Sequence, residues 1–376
     1  MDITPVDQSA ARATDCESLL NAVAAAIPAM RRRAPQLDAE ARFPEADLDE
    51  LRALGLLLAP LPSDLGGLGL GTEPQGADGL RRLLGLLGRG NMAIGRVFEA
   101  HVNAIALIAR HATTAQLAAA AADVRAGHLF ALWVTGQGLL IDGSGFLDGT
   151  LSFCSAAGWA SRAVVTALRP GAAHPDMLVA DTAPAKIERL PSQPQGMRAA
   201  ATGRVRFDAT PLSRAAMFGQ PDDYLREPGF TAGAWRTYAV IAGGLEALVQ
   251  ATQEQLVARD RHTDPHQQVR IGQALIAQET ARLWIRQAAL LAEAAHPEPQ
   301  RVTAYVNLAR SAIEAACLET ISLVQRSLGL AALVPPNPAE RLMRDLATYL
   351  RQPAGDEALT EAAAWCMQHR LSVDTA

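Results

Sequence analysis

The stretch that decides the fold runs from His128 to Arg226. There the sequence breaks into short apolar runs: Leu129-Phe-Ala-Leu-Trp-Val-Thr135, Phe146-Leu-Asp-Gly-Thr-Leu-Ser-Phe-Cys154, Ala163–Leu168, Met177–Asp181 and Arg204–Phe207. Gly, Asp and Pro separate them, the punctuation of strands in an antiparallel sheet or barrel. Working outward, helical spacing governs both flanks. Upstream, Leu48, Leu51, Leu54 and Leu56–Leu58 fall near a 3.6-residue period, as do Ala104–Ala109 and Ala115–Val124. Downstream lie Ala239–Arg259, Val269–Ala295, Val302–Leu328 and Pro338–Leu350, the last two parted by Pro335-Pro-Asn-Pro338. The run Pro60-Leu-Pro-Ser-Asp-Leu-Gly-Gly-Leu-Gly-Leu-Gly71 must be a loop between N-terminal helices. The order α, β, α predicts an α+β protein. Its parts are a helical domain over 1–127, a β barrel or sandwich over 128–228, and a four-helix bundle over 229–376.

Composition narrows the function classes. With 376 residues, 49% apolar and 19% charged, the chain can bury a sizeable core and is not a disordered protein. A net charge of −5 argues against nucleic acid as a partner, which calls for a basic stripe. No uninterrupted apolar run reaches the ~18 residues of a membrane span. Met1–Asp7 has acids and no basic segment, unlike a secretory signal. Cys16, Cys154, Cys317 and Cys366 are scattered with no CxxC pair, so neither zinc nor a disulfide framework is expected, and a reducing cytoplasmic location fits.

The chain lacks a GxGxxG fingerprint and a GxxxxGK[ST] phosphate loop. His262 and His266 stand four apart, but Pro265 between them argues against a helical metal pair, and no metal is expected. Asp142-Gly-Ser-Gly145 lacks the frame of a nucleophile elbow and reads as a tight turn.

Five stretches in order carry a family resemblance: Phe43-Pro44 with Leu51–Leu56 and Pro62–Gly67; Ala131–Thr135; Gly149-Thr-Leu-Ser-Phe-Cys-Ser155; Val205–Gly219; and Pro338–Asp345. Together they resemble the acyl-CoA dehydrogenase superfamily over nearly the whole chain. The resemblance implies a flavoprotein oxidoreductase with FAD, or FMN, held between the β domain and the C-terminal helices. It implies that Val134 and Thr135 lie along the flavin ring and that Ser155 bonds its N5/O4 edge. Phe153 stands where the family has Trp, keeping an apolar wall without the indole N–H. Gln325 and Gly329 match part of the loop that meets the adenine end from a second subunit, with Leu328 replacing one glycine. Arg259 or Arg261 would meet the pyrophosphate. The implied partners are a small-molecule or acyl-thioester substrate, a second copy in a homodimer or homotetramer (through Ile313–Leu328), and an electron-transfer flavoprotein or flavin reductase.

The departures from the family bear on the reaction. A dehydrogenase needs a carboxylate within reach of the substrate proton. Here the two usual Glu positions fall on Pro353 and Trp235, leaving Asp356 or Glu357 as substitutes if the loop runs differently, or as a solvated helix start. From Thr135-Gly-Gln-Gly-Leu-Leu-Ile-Asp142 to Gly149 the chain is about a dozen residues shorter than in the family, in the piece that holds the CoA arm. Arg96-Val-Phe-Glu-Ala-His-Val-Asn103 resembles a helix of the superfamily's dibenzothiophene monooxygenase branch, with His101 at a flavin-facing position. Histidine suits oxygen chemistry because it exchanges a proton near neutral pH. That branch has a second His where this chain has Tyr349 or Gln352. His101 reads equally as a satisfied histidine at a domain interface. A non-catalytic, structural family member is the remaining alternative.

Overall fold

A computed structural model describes residues 15–190, 193–296 and 298–371; Met1–Asp7 lies outside them. Five helices come first: α1 (Cys16–Ala39), α2 (Glu45–Ala53), α3 (Ala77–Gly90), α4 (Met92–His111) and α5 (Thr114–Arg125). Their starts are capped as their sequences dictate. Asp15 accepts from the Ser18 N–H, Asn91 from the Ala93 N–H, and Thr113 and Gln116 form a reciprocal box.

Eight strands follow: β1 (Phe130–Trp133), β2 (Gly136–Ile141), β3 (Phe146–Cys154), β4 (Arg162–Leu168), β5 (Asp176–Asp181), β6 (Lys186–Arg189), β7 (Gly203–Pro211) and β8 (Met217–Phe218). They form one sheet in the order β6-β7-β3-β2-β4-β5-β8, with β1 also beside β4. The sheet is mixed, which corrects the antiparallel expectation. Both β1 and β2 run parallel to β4, β1 against Arg162–Val165 and β2 against Ala167–Leu168. The chain from 130 to 141 therefore follows β4 as one path broken at Val134–Thr135. The expected tight turn is present: the Asp142 carboxylate accepts from the Ser144 and Phe146 N–H groups and joins β2 to β3.

Six helices complete the described residues: α6 (Gly229–Ala232), α7 (Ala234–Ala258), α8 (Pro265–Ala292), α9 (Pro299–Leu328), α10 (Pro338–Tyr349) and α11 (Gly355–Cys366). The last lies against α9 and extends the expected four-helix bundle.

Helices α3 and α7 touch backbone to backbone. A Cβ on Gly88 would stand 2.1 Å from the Val240 carbonyl oxygen, and one on Gly243 2.0 Å from that of Gly85. Glycine at these crossings lets the N-terminal helices dock on the bundle. Helix α4 is long and apolar enough to cross a membrane, its apolar run interrupted by Arg96, Glu99 and His101, yet 78% of its most apolar window is buried inside the chain.

The face expected to meet a second copy needs correction. Ile313, Ala316, Cys317, Leu323, Val324 and Leu328 of α9 are buried within this chain. Leu318 of α9 is exposed, and α8 exposes more, at Val269, Ile276, Leu283 and Leu290, spaced seven apart.

Candidate functional site

The break between β1 and β2 and the end of β3 form one rim. Thr135 is exposed, and its carbonyl accepts from the Ser152 N–H at 2.8 Å. Gly136 has φ +138° and lies so close to β3 that a Cβ would stand 2.9 Å from the Ser152 nitrogen. At the end of β3, Phe153 adopts φ +58° and is 63% exposed. A non-glycine residue in the left-handed region costs about 1–2 kcal/mol, and an exposed phenyl ring gains nothing from solvent. Strain and an unburied aromatic coincide beside Thr135, the pairing expected where a planar ligand lies. Ser155 is buried; its carbonyl accepts from the Trp133 indole at 2.9 Å, and its hydroxyl has no partner among the described residues. Val134 is half-buried at the same break. The four β-domain residues named from the sequence thus lie together.

His101 is placed otherwise. It is fully buried, with the Phe130 N–H donating to Nδ1 at 3.1 Å and Nε2 lying 2.9 Å from the Leu57 carbonyl. Since Nδ1 accepts, the proton sits on Nε2 and is donated to Leu57. Burial pushes its pKa down to about 4, with the Leu57 hydrogen bond opposing. Neither a lone pair nor an N–H is left for a substrate. The geometry matches the second of the two readings, a satisfied histidine at a domain interface, and leaves the catalytic reading no free ring atom.

The substitute carboxylates are equally unpromising. Asp356 and Glu357 are exposed in the first turn of α11, where negative charge suits the helix N-terminus. Pro353 is exposed, with its carbonyl accepting from Arg310 at 2.9 Å. Trp235 is buried and donates its indole N–H to Glu293 at 2.9 Å.

Sequence reading missed a buried polar cluster between α4, α7 and α10. Glu99 pairs with Arg96 and accepts from Asn103 and from the Thr237 hydroxyl, the latter at 3.1 Å. The Tyr349 hydroxyl is buried beside Glu99 and Thr237 without an aligned bond to either; burial, then the Glu99 charge, pushes its pKa well up. Against the cost of burial, the Glu99 carboxylate holds Arg96 charged. Burial pushes the Cys154 thiol up to about 12, while the Arg96 charge opposes. The cluster therefore adjoins the strand end that carries Phe153. Its signal was Arg96, Glu99 and Asn103 at i, i+3 and i+7 on an otherwise apolar helix.

Arg259, Arg261, Gln325 and Gly329 gather at one end of the bundle. All four are exposed. Arg259 ends α7, Gly329 ends α9 with φ +65°, and Gln267 at the start of α8 ties the two ends by donating to the Ser327 carbonyl at 3.3 Å. At the end of α7 and the start of α8 is a hollow of about 170 Å³ walled by Leu256, Val257, Ile271 and His262; none of Arg259, Arg261, Gln325 and Gly329 lines it. Gln267 lines it, is 2% exposed, and its Oε1 is an unpartnered acceptor. Buried amide oxygens are rarely left unpaired, so this one fits a ligand with an N–H donor. No group of three or more potential metal ligands is present among the described residues.

Solved structures share this architecture. FMN-bound TdsC from Paenibacillus sp. A11-2, a dibenzothiophene monooxygenase, is 17% identical, with 95% of this chain and 99% of that one covered at a TM-score of 0.84. Butyryl-CoA dehydrogenase from Megasphaera elsdenii is 15% identical over 98% of this chain and 100% of that one, with a TM-score of 0.82. KijD3 in complex with dTDP is 19% identical over 96% and 98%, with a TM-score of 0.83. At these identities the likeness establishes the fold, which is that of the acyl-CoA dehydrogenases. Residues 17–127 match the family described as the acyl-CoA dehydrogenase N-terminal domain. That segment is similar to this family's N-terminal domain, and the whole chain shares the fold. No curated protein matches it.

Proposed function

We propose that this protein is a flavin-dependent oxidoreductase acting on a small molecule other than an ordinary CoA thioester. The observation that carries the reading is the strained, exposed Phe153 beside Thr135. When bound, the flavin would supply the redox chemistry. The chain would supply an apolar wall from Phe153, hydrogen bonds from the Val134–Thr135 backbone and the Thr135 hydroxyl, and the free Ser155 hydroxyl. The unpartnered Gln267 acceptor in its apolar hollow, with Arg259 and Arg261 nearby, favours a dinucleotide, so FAD is preferred to FMN.

Pro353 and Trp235 offer no base for removing an α-proton, and the direct β2–β3 turn leaves little chain to hold a CoA arm. Both features, with the monooxygenase TdsC among the similar structures, favour oxygen-dependent chemistry over thioester dehydrogenation. The reading includes division into residues 1–127, 128–228 and 229–376, a cytoplasmic homodimer or homotetramer, and an external electron donor such as a flavin reductase.

Flavin titration of the purified protein tests it. Quenching of FAD fluorescence with micromolar affinity is expected, weakened by Phe153→Ala. Absence of binding by FAD and FMN at ~100 μM, weaker than about −5.5 kcal/mol, would leave the non-catalytic alternative. With flavin bound, anaerobic butyryl-CoA should not bleach it; rapid bleaching would restore thioester dehydrogenation.

A further inference from the structure

Backbone strain in this chain gathers beside the rim. Among the described residues nine non-glycine positions lie in the left-handed region, and four of them, Phe153, Ala156, Met197 and Ala201, sit on two segments that bond to each other. The Ala156 N–H donates to the Ala200 carbonyl at 2.8 Å, and the Ala157 N–H to the Ala201 carbonyl at 3.1 Å. Phe153 (φ +58°) and Ala156 (φ +56°) turn the chain after β3, with Ser155 between them. Met197 (φ +56°) and Ala201 (φ +46°) bracket the Arg198–Ala200 turn before β7. Alanine and methionine lack the freedom of glycine in this region, so the surroundings must hold them there.

The hold comes from α10. Its residues 344, 345 and 348 grip the backbone of three consecutive residues. Arg344 donates to the Gln195 carbonyl at 2.6 Å, the Gly196 N–H to the Thr348 hydroxyl at 2.9 Å, and the Met197 N–H to the Asp345 carboxylate at 2.6 Å. The last is charge-assisted, the stronger kind of hydrogen bond. Asp345 is 4% exposed, and its other oxygen accepts from Arg341 at 2.9 Å. Gly196 lies so close to the helix that a Cβ would stand 2.1 Å from the Arg344 carbonyl oxygen. The buried carboxylate therefore fixes the first strained residue of the loop, and the loop is pressed backbone to backbone on the helix.

We propose that Asp345 is a positioning residue for the rim. Through Met197–Ala201 it holds the corner from Phe153 to Ala157 in the shape that presents the Phe153 ring and the Ser155 hydroxyl. The path runs from Asp345 to Met197, along the turn to Ala200 and Ala201, and through their carbonyls to Ala156 and Ala157. From the other side the Trp133 indole donates to the Ser155 carbonyl and fixes the corner to β1. A helix of the C-terminal bundle thus sets the geometry of groups that the β domain supplies. That the corner holds a flavin rests on the function proposed above; that α10 shapes the corner does not.

Hydrogen exchange and flavin titration of the full chain test the assignment. Asp345→Ala removes the acceptor for Met197. Exchange at the amides of residues 153–157 should then rise about tenfold or more, as for one lost hydrogen bond, while α3 and α7 stay as protected as in the wild type. FAD affinity should fall by a similar factor. Gly196→Ala lifts the loop by contact alone, leaves the Arg341–Asp345 pair intact and should have the same two effects; it carries the comparison should Asp345→Ala not fold. Asp345→Asn keeps an oxygen for Met197 but breaks the pair with Arg341, so exchange at 153–157 should stay near that of the wild type. Faster exchange confined to 196–201 would overturn the proposal. So would undiminished FAD binding in a folded Gly196→Ala protein, or an Asp345→Asn corner that exchanges as fast as that of Asp345→Ala or Gly196→Ala. A wild type that binds no flavin would end the flavin reading, and exchange at 153–157 in the variants would still decide whether α10 shapes the corner.

Discussion

The backbone N–H of Phe130 donates to Nδ1 of His101 at 3.1 Å, and through this bond the first strand of the sheet hangs on helix α4. The other ring nitrogen bonds the Leu57 carbonyl. One imidazole thus joins helix, sheet and the loop after α2, satisfying two backbone groups that would otherwise be buried without partners. A histidine whose sequence context suggests oxygen chemistry is, in three dimensions, a tie between the first helices and the sheet.

The tie gives stability a pH dependence. The folded-state pKa near 4 lies below the ordinary 6.5, so between those values the unfolded chain binds more protons. Stability from this residue is complete above about pH 6.5 and is lost as pH falls toward 4. The difference corresponds to about 3 kcal/mol. Urea denaturation at several pH values should show this slope in the wild type. His101→Asn should flatten it and lower stability at pH 8 by about 1–3 kcal/mol. An unchanged slope in the variant would return His101 to the catalytic candidates.

Phe153 should behave in the opposite sense. Glycine takes up φ +58° freely, so Phe153→Gly relieves about 1–2 kcal/mol of left-handed strain. It gives back about 0.5–1 kcal/mol through greater freedom of the unfolded chain. Little apolar contact is lost from a ring 63% exposed. Chemical denaturation should therefore find the variant as stable as the wild type or slightly more so, while flavin titration finds weaker binding. A large loss of stability would mean that the ring serves packing rather than a ligand.

The α3–α7 crossing offers a paired test. Gly88→Ala would put a methyl 2.1 Å from the Val240 carbonyl oxygen and force the helices apart, at a cost of about 1–3 kcal/mol or more. At Gly85, one turn earlier, the nearest atom to a new Cβ is 4.0 Å away. There Gly85→Ala should be neutral or stabilising by up to about 1 kcal/mol, from helix propensity alone. Denaturation midpoints that move equally for the two variants would contradict the close crossing.

Sequence alone revealed what depends on local pattern. Strand β3 was read at its observed bounds because a turn sets its start and alternation its length. Strand β2 was missed because Gly136-Gln-Gly-Leu-Leu-Ile141 has two glycines and no alternation, and it pairs with β3 through a bulge. The rim at Thr135 and Phe153 was legible as short motifs flanking strands. The Glu99 cluster was not, because Arg96 and Glu99 at i, i+3 look like any surface pair on a helix, and only tertiary packing buries them. The burial of much of the apolar face of α9, and the exposure of that of α8, were not legible for the same reason. Both helices are rich in Ala and Leu, and periodicity identifies an apolar face without saying whether its partner is in the chain or outside it.

The last prediction follows from that exposure. Val269, Ile276, Leu283 and Leu290 recur every seven residues along α8, and all are exposed, Ile276 at 69%. A heptad spacing keeps such residues on one side of a helix and suits a facing helix from another copy. Single exposed apolar residues are commonplace, but four in register make a stripe that water does not favour. The protein should sediment as a dimer or tetramer at micromolar concentration. Ile276→Glu, which brings a charge into the middle of the stripe, should shift it toward monomer without altering the far-UV circular dichroism. Leu318→Glu on α9, also exposed but outside the heptad series, is the control and should leave assembly unchanged. A wild type that sediments as a monomer, or an oligomer that Ile276→Glu does not loosen, would place the contact elsewhere.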